Sequence, residues 1–250
     1  MHNILLISNG SKVNSKFKEE AKHFDVDIHT YWDAPDNVEY IATINRQYIH
    51  KNIELQHGKQ INRIVDGIFW KDKIVQLTSL NTVCRKPKYL IGQGIGFQHI
   101  TNILGLPFIA KRSTGTRGEN VFMIRNYNEY IEAIDCDIFE EVIWNSIGRD
   151  IRVYSVNGEV RCCMLRQNIN NFKSNYHQGG KGSNYSIDSD IIEIAKTIYK
   201  TTRLNIMGID LLLDKDGYVF CELNTNPGFE ELDRACDYNA AREILELCIK

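Results

Sequence analysis

Gly208-Ile209-Asp210-Leu211-Leu212-Leu213-Asp214-Lys215-Asp216-Gly217-Tyr218-Val219-Phe220-Cys221-Glu222-Leu223-Asn224 is the stretch whose reading decides the fold. Two apolar runs flank an Asp-Lys-Asp-Gly turn, which is the pattern of a β-hairpin. Apolar residues on both arms make it a central hairpin rather than an exposed one. Glu222 and Asn224 are two apart and share a face of their strand. If the loop has three residues and Gly217 takes the left-handed conformation, Asp210 falls directly opposite Glu222. Two carboxylates held that close repel unless a proton or a cation lies between them, and oxygen-only donors suit a hard ion such as Mg²⁺. An isolated D…E-x-N pattern is more often a solvated hairpin face. The apolar setting here favours a site.

Upstream, Asp188 or Ser189 caps an amphipathic helix over 189–204, with Ile191, Ile194, Ala195, Ile198 and Tyr199 at helical spacing. Before it, residues 152–156 and 159–165 form a hairpin about Asn157-Gly158, the strongest short hairpin signal. Residues 106–111 read as a strand. After them the glycine-rich hexad Ser113-Thr114-Gly115-Thr116-Arg117-Gly118 joins a second strand, 120–124. Helices are predicted to start near Lys71 and Phe97, the second stopped by Gly105. At the front, Ile4-Leu5-Leu6-Ile7 is a buried parallel strand, followed by a helix over 15–24 and a strand over 26–28. The stretch from 33 to 66 shows no regular pattern. These readings divide the chain into 1–66, 67–138 and 139–250.

The 250 residues are 43% hydrophobic and 25% charged, ordinary globular composition with length enough for more than one subdomain. A net charge of -2 excludes a strong bulk field toward nucleic acid or anionic membrane. No apolar run approaches the ~20 residues of a membrane-spanning helix. Charged and polar residues follow Gly10 at once, so no signal peptide is expected and the chain reads as cytoplasmic. Seven cysteines without a C-x-x-C pair read as reduced core thiols.

The hexad is not a Walker A loop, because no Gly-Lys-Ser/Thr follows and no helix opens behind it. As a strand–turn–strand flap it can still face phosphates with backbone N–H groups, among them those of Ser113, Gly115 and Gly118, and with Arg117. Lys111 leads into it as a point charge. Arg166 and the polar segment 173–183 suit a cover over phosphates and a carboxylate, although such a loop is more often a surface connection.

Taken in order, Asp72-Lys73, Lys111 with its glycine loop, Glu140-Glu141-Val142-Ile143, Gly148-Arg149-Asp150-Ile151-Arg152, Arg166, Lys173-Ser174-Asn175-x-His177-x-Gly179-Gly180, Gly208-Ile209-Asp210 and Glu222-Leu223-Asn224-x-Asn226-Pro227-Gly228 resemble the ATP-grasp superfamily, and most of all its RimK-like ligases. The resemblance runs from Gly67 to the end. It implies an α/β (α+β) ATP-grasp fold, in which two α+β subdomains clamp ATP behind a small α/β pre-ATP-grasp domain. It further implies that Lys73 and Lys111 contact ATP phosphates, that Glu141 and Val142 form the adenine hinge, and that Asp150 lies at the ribose. Lys173 and Asn175 would reach the nucleotide and the reacting groups, and Arg166 the transferring phosphoryl or a substrate carboxylate. Asp210, Glu222 and Asn224 would hold two Mg²⁺ ions, with Mn²⁺ as a substitute.

The sequence departs from that pattern in two places. Val142 replaces a common aromatic residue, and Lys173 replaces an arginine, so a bidentate contact becomes a point charge. The implied activity is ATP-dependent amide formation through an acyl phosphate, joining an amino acid or peptide carboxylate to an amine acceptor. A homo-oligomer or a peptide-docking partner is compatible with it. The rivals are an ATP-grasp kinase and a non-catalytic ATP-binding module acting with another protein. His177 is the one candidate base, and a lone histidine in a polar loop is more often structural.

Overall fold

The computed structural model describes residues 2–35, 37–47, 57–115, 120–174 and 179–250. Three sheets follow one another along the chain. The first is parallel, in the order β2-β1-β3-β4, from β1 (His2–Ile7), β2 (Val26–Thr30), β3 (Tyr40–Asn45) and β4 (Lys59–Ile61). The helix α1 (Ser11–Ala21) crosses between β1 and β2, starting four residues earlier than the sequence pattern indicates. Strands β3 and β4 occupy the stretch that shows no pattern.

Where one helix was expected near Lys71 there are two, α2 (Ile64–Lys71) and α3 (Lys73–Ser79). The side chain of Asp72 separates them by accepting hydrogen bonds from the N–H groups of Ile74 (2.7 Å) and Val75 (3.2 Å), which caps the second helix. Gly67, the expected first boundary, therefore lies inside α2.

The middle sheet is antiparallel, in the order β5-β8-β6-β7, from β5 (Tyr89–Ile91), β6 (Phe108–Lys111), β7 (Val121–Ile124) and β8 (Ile138–Glu141). Its helices, α4 (Phe97–Leu104) and α5 (Tyr127–Glu132), cover one face over Phe108, Ala110 and Phe139. Cross-strand pairing puts Ile109, Lys111, Ile138 and Glu140 on the other face. Gly105 ends α4 at φ 80° as expected.

The C-terminal sheet, in the order β11-β10-β9-β12-β13, comprises β9 (Arg149–Val156), β10 (Glu159–Gln167), β11 (Lys181–Tyr185), β12 (Ile206–Asp214) and β13 (Gly217–Asn224). The turn at Asn157 (φ 51°) and Gly158 (φ 81°) is the left-handed pair that an Asn-Gly hairpin requires. The amphipathic helix α6 (Ser189–Thr202) packs Ile191, Ile194, Ala195 and Ile198 on one face of this sheet, and Asp188 caps it by accepting from the Ile191 N–H at 2.9 Å. The other face meets α7 (Glu230–Cys236) and α8 (Ala240–Ile249). It shares one continuous core with the front sheet, in which Ile4, Leu6 and Ile44 join Tyr154, Met164, Leu232 and Ile244.

Candidate active site

Asp210 pairs with Glu222 across β12 and β13, as the sequence requires, but by a different route. The loop has two residues, since Asp214 pairs with Gly217, and the missing residue is made up by a β-bulge at Cys221, between the Asp210–Glu222 and Leu211–Phe220 pairs. A ladder without the bulge would place Cys221 opposite Asp210 and turn Glu222 to the other face. Asn224, paired with Gly208, donates from Nδ2 to Asp210 Oδ2 at 3.2 Å.

The face that carries these three residues is charged across the sheet. Arg152 on β9 binds both oxygens of Asp210, through Nε to Oδ1 and through Nη2 to Oδ2 at 2.9 Å. Arg166 on β10 grips Asp150 in a bidentate pair at 2.6 Å for each bond, and its Nη2 lies 3.0 Å from Asp210 Oδ2. Burial opposes ionisation of Asp210, yet the two guanidinium groups outweigh it and hold its pKa below the ordinary carboxylate value. Burial likewise works against the charge on Arg166, and Asp210 and Asp150 reverse it, so that arginine stays cationic. Both oxygens of Asp150 are taken up by Arg166.

Two lysines approach the hairpin from outside its sheet. The first residue of α3, Lys73, extends Nζ to Glu222 Oε1 (3.2 Å) and to the carbonyl of Gly115 (3.2 Å), and so bridges hairpin and flap. Lys111, at the end of β6, is buried with Nζ 2.6 Å from Glu140 Oε2. Desolvation alone would lower its pKa, but Glu140 in the first place, with Cys221 and Glu222, raises it above the ordinary lysine value. Burial pushes the Cys221 thiol up to about 12, against the pull of Lys111.

The remaining expected residues are more scattered. Ser113 is anchored by Asp137, which accepts from its N–H and its hydroxyl at 2.6 Å each, and the Ser113 carbonyl accepts from the Lys73 N–H at 3.3 Å. Gly115 has φ 141°, and a Cβ there would lie 2.7 Å from Asn120 Nδ2. Glu141 accepts from Arg85 Nη1 (2.7 Å) and from the Lys88 N–H (2.9 Å), and Val142 beside it is buried. Lys173 lies over the rings of Phe172 (5.5 Å) and Phe122 (5.9 Å), and burial lowers its pKa. Gly118 and Asn175, with Arg117 and His177, lie outside the described residues.

Some contributors carry no sequence motif. Gln76 is buried one turn after Lys73, where its Oε1 accepts from the Leu223 N–H at 2.7 Å and its Nε2 donates to the Leu223 carbonyl at 2.9 Å. It thus fixes the backbone between Glu222 and Asn224. Its position three residues beyond Lys73 in a helix was the only available signal. Among the described residues no group of three or more His, Cys, Asp or Glu side chains forms a metal cluster.

The family of RimK-like ATP-grasp domains matches residues 85–248. A probable alpha-L-glutamate ligase of Maridesulfovibrio salexigens is 28% identical over 201 residues, 72% of this chain and 67% of that one. For further curated relatives the aligned stretch spans only 50% or 38% of their length. The solved ATP-grasp ligase PsnB, complexed with minimal precursor, Mg and ADP, superposes with a TM-score of 0.74 at 14% identity, over 99% of this chain and 97% of that one. A RiPP-associated ATP-grasp ligase of Chryseobacterium gregarium, in complex with ADP and a leader and core peptide, gives 0.75 at 14% identity, over 100% and 97%. The fold is therefore that of the ATP-grasp ligases, and with the family match covering more than half of its length, the chain belongs to the RimK-like ATP-grasp family.

Proposed function

We propose that this chain is an ATP-dependent ligase that joins a carboxylate to an amine through an acyl phosphate, adding an amino acid to a peptide or small-molecule acceptor. The observation that carries the reading is the convergence at the hairpin. Asp210 and Glu222 oppose each other on one face with Asn224, Lys73 pairs with Glu222 from a separate helix, and Lys111, paired with Glu140 in the middle sheet, feels the charge of Glu222. The named activity of the glutamate ligase relative, and the precursor and peptide bound to the solved neighbours, support this substrate class.

In this reading residues 1–66 are the front domain, residues 67–141 the middle subdomain and the remainder the C-terminal subdomain. The second boundary is moved from 138 because β8 completes the middle sheet. Lys73, Lys111 and the flap backbone around Ser113 and Gly115 hold the phosphates, with Gly118 on the same flap. Glu141 and Val142 flank the adenine. Lys173 and Asn175 reach the nucleotide and the reacting groups. Asp150 lies at the ribose, and its bidentate pair with Arg166 also fixes that guanidinium. The seven free thiols support a cytoplasmic setting.

The donor set of two carboxylates and an amide carbonyl is oxygen-only, which fits Mg²⁺, and Asp210, Glu222 and Asn224 would hold it as two ions with Glu222 common to both. Bound there, the metal would offset charge on the phosphoryl oxygens during transfer. The chain's own side chains do the rest. The two lysines reduce the repulsion between the attacking carboxylate and the phosphates, and Arg166 steadies the acyl phosphate once formed. Holding acyl phosphate and amine together supplies about 7 kcal/mol or more of the barrier.

The test is release of ADP and phosphate from Mg-ATP with pools of amino acids and short acidic peptides, in wild type and Glu222→Ala. Release that requires both a carboxylate and an amine, and that is absent from the variant, is expected. A phosphorylated product stable without amine would assign a kinase instead. Tight ATP binding without release from any pool would assign a binding module.

A further inference from the structure

Glu231, the second residue of α7, has one carboxylate oxygen, Oε1, that is sealed from solvent and has no hydrogen-bond partner among the described residues. A buried acceptor left in that state needs a reason. Among the described residues, the other carboxylate with an unbonded buried oxygen, Glu243, is anchored through its second oxygen by Arg161, whereas no hydrogen bond or ion pair to Glu231 is seen.

The surroundings place Glu231 at the charged face. It feels Arg166 from β10, Arg152 from β9 and Arg234 from its own helix, with Asp150 opposing them. Gly182 on β11, the register partner of Arg166, leaves the room it occupies, since a Cβ at 182 would lie 3.0 Å from Glu231 Oε1 and 2.4 Å from Met164 Sδ. The charges follow the strand order. Glu231 stands at the β11–β10 edge, then come Arg166, Asp150 with Arg152, and Asp210, and last Glu222 beside Lys73 at the β13 edge. Lys73 and Glu231 thus flank the row, and Arg166 is the cation that Glu231 feels most. Arg152 and Arg166 are already committed to Asp210 and Asp150, and neither hydrogen-bonds Glu231 Oε1. A carboxylate oxygen left over near Arg166, the residue that steadies the acyl phosphate, fits a donor that carries protons on nitrogen.

We propose that Glu231 serves the amine: its unbonded carboxylate hydrogen-bonds the incoming primary amine and accepts the proton that nitrogen loses. In that step the C–N bond forms at the acyl carbon and the C–O bond to phosphate breaks. Phosphate leaves with the C–O electron pair, and the proton passes from nitrogen to Glu231. Burial, against the pull of the three arginines, holds the carboxyl above its ordinary pKa, which suits a proton acceptor better than a fully solvated carboxylate. This role deepens the ligase reading and rests on it.

The experiment compares wild type with Glu231→Gln, using the same pools and Mg-ATP, with hydroxylamine as a second acceptor. Hydroxylamine is unprotonated at neutral pH and attacks an acyl phosphate without an enzymic base, giving a hydroxamate. The variant is expected to keep hydroxamate formation within about 3-fold while amide formation falls about 100-fold, and the acid limb of the wild-type pH profile for amide formation disappears with it. An unchanged amide rate, or equal loss of hydroxamate and amide, would overturn the role. Wild type that makes no carboxylate-dependent hydroxamate would overturn the ligase reading itself.

Discussion

Lys73 and Lys111 are held by different means, and the difference predicts how each tolerates change. Lys111 is buried against Glu140 inside the middle sheet, so its ammonium is part of the structure as well as of the site. Lys73 begins a capped helix and its ammonium bridges two separate parts, the Gly115 carbonyl and Glu222. Gln76 is the quieter member of the group. It satisfies both backbone groups of Leu223, so Gln76→Ala leaves a buried N–H and C=O unpaired. A loss of about 2 kcal/mol in denaturant stability is expected, together with weaker ATP binding by calorimetry in the presence of Mg²⁺. Unchanged ATP affinity at reduced stability would confine Gln76 to a structural role.

Among the elements, β12 and β13 show how close backbone packing places charge. Gly208 lies beneath the segment that follows β13, where an added Cβ would come within 2.7 Å of the Pro227 Cβ and 3.2 Å of the Arg152 Cδ. Proline cannot move aside easily, so Gly208→Ala should cost about 2 kcal/mol and displace Arg152, seen as a lower melting temperature with reduced turnover. The hairpins at 157–158 and 206–224 and the helix after Asp188 were readable because their signals are local: a turn residue, a cap, a period. Strands β3 and β4 were not, since a parallel strand finds its partner far along the chain and leaves no turn signature between them. Asp72 was legible as part of a motif but not as the cap that divides two helices. The pairing of Asp210 with Glu222 was foreseen with the wrong loop, because a bulge at Cys221 and a longer turn give the same register. Arg152 was legible as part of a motif but not as the partner of Asp210, and Glu231 drew no attention, as the groups around both are distant in sequence and their neighbourhood exists only in the folded sheet.

Across the whole molecule, Asn62 is the joint between the front and C-terminal layers. With φ 53°, it donates from Nδ2 to the carbonyls of Ile206 (2.7 Å) and Thr225 (2.9 Å), and its Oδ1 accepts from the Ile206 N–H (2.8 Å). Asn62→Ala strips those three bonds from buried backbone and should cost about 3 kcal/mol, read by thermal unfolding. The shared core from Ile4 to Ile244 adds to the joint, while the middle sheet keeps a core of its own. Hydrogen exchange with and without Mg-ADP should therefore change most in residues 108–124 and little in residues 2–30.

That joint divides the molecule unequally. The front and C-terminal sheets share one core, whereas the middle sheet, entered through 80–88 and left through 142–148, packs on its own. Arg85, tied at once to Glu141 and to Asp214, pins the middle sheet to the turn of the last hairpin. A substitution there would loosen the grip of one subdomain on the other while sparing both cores.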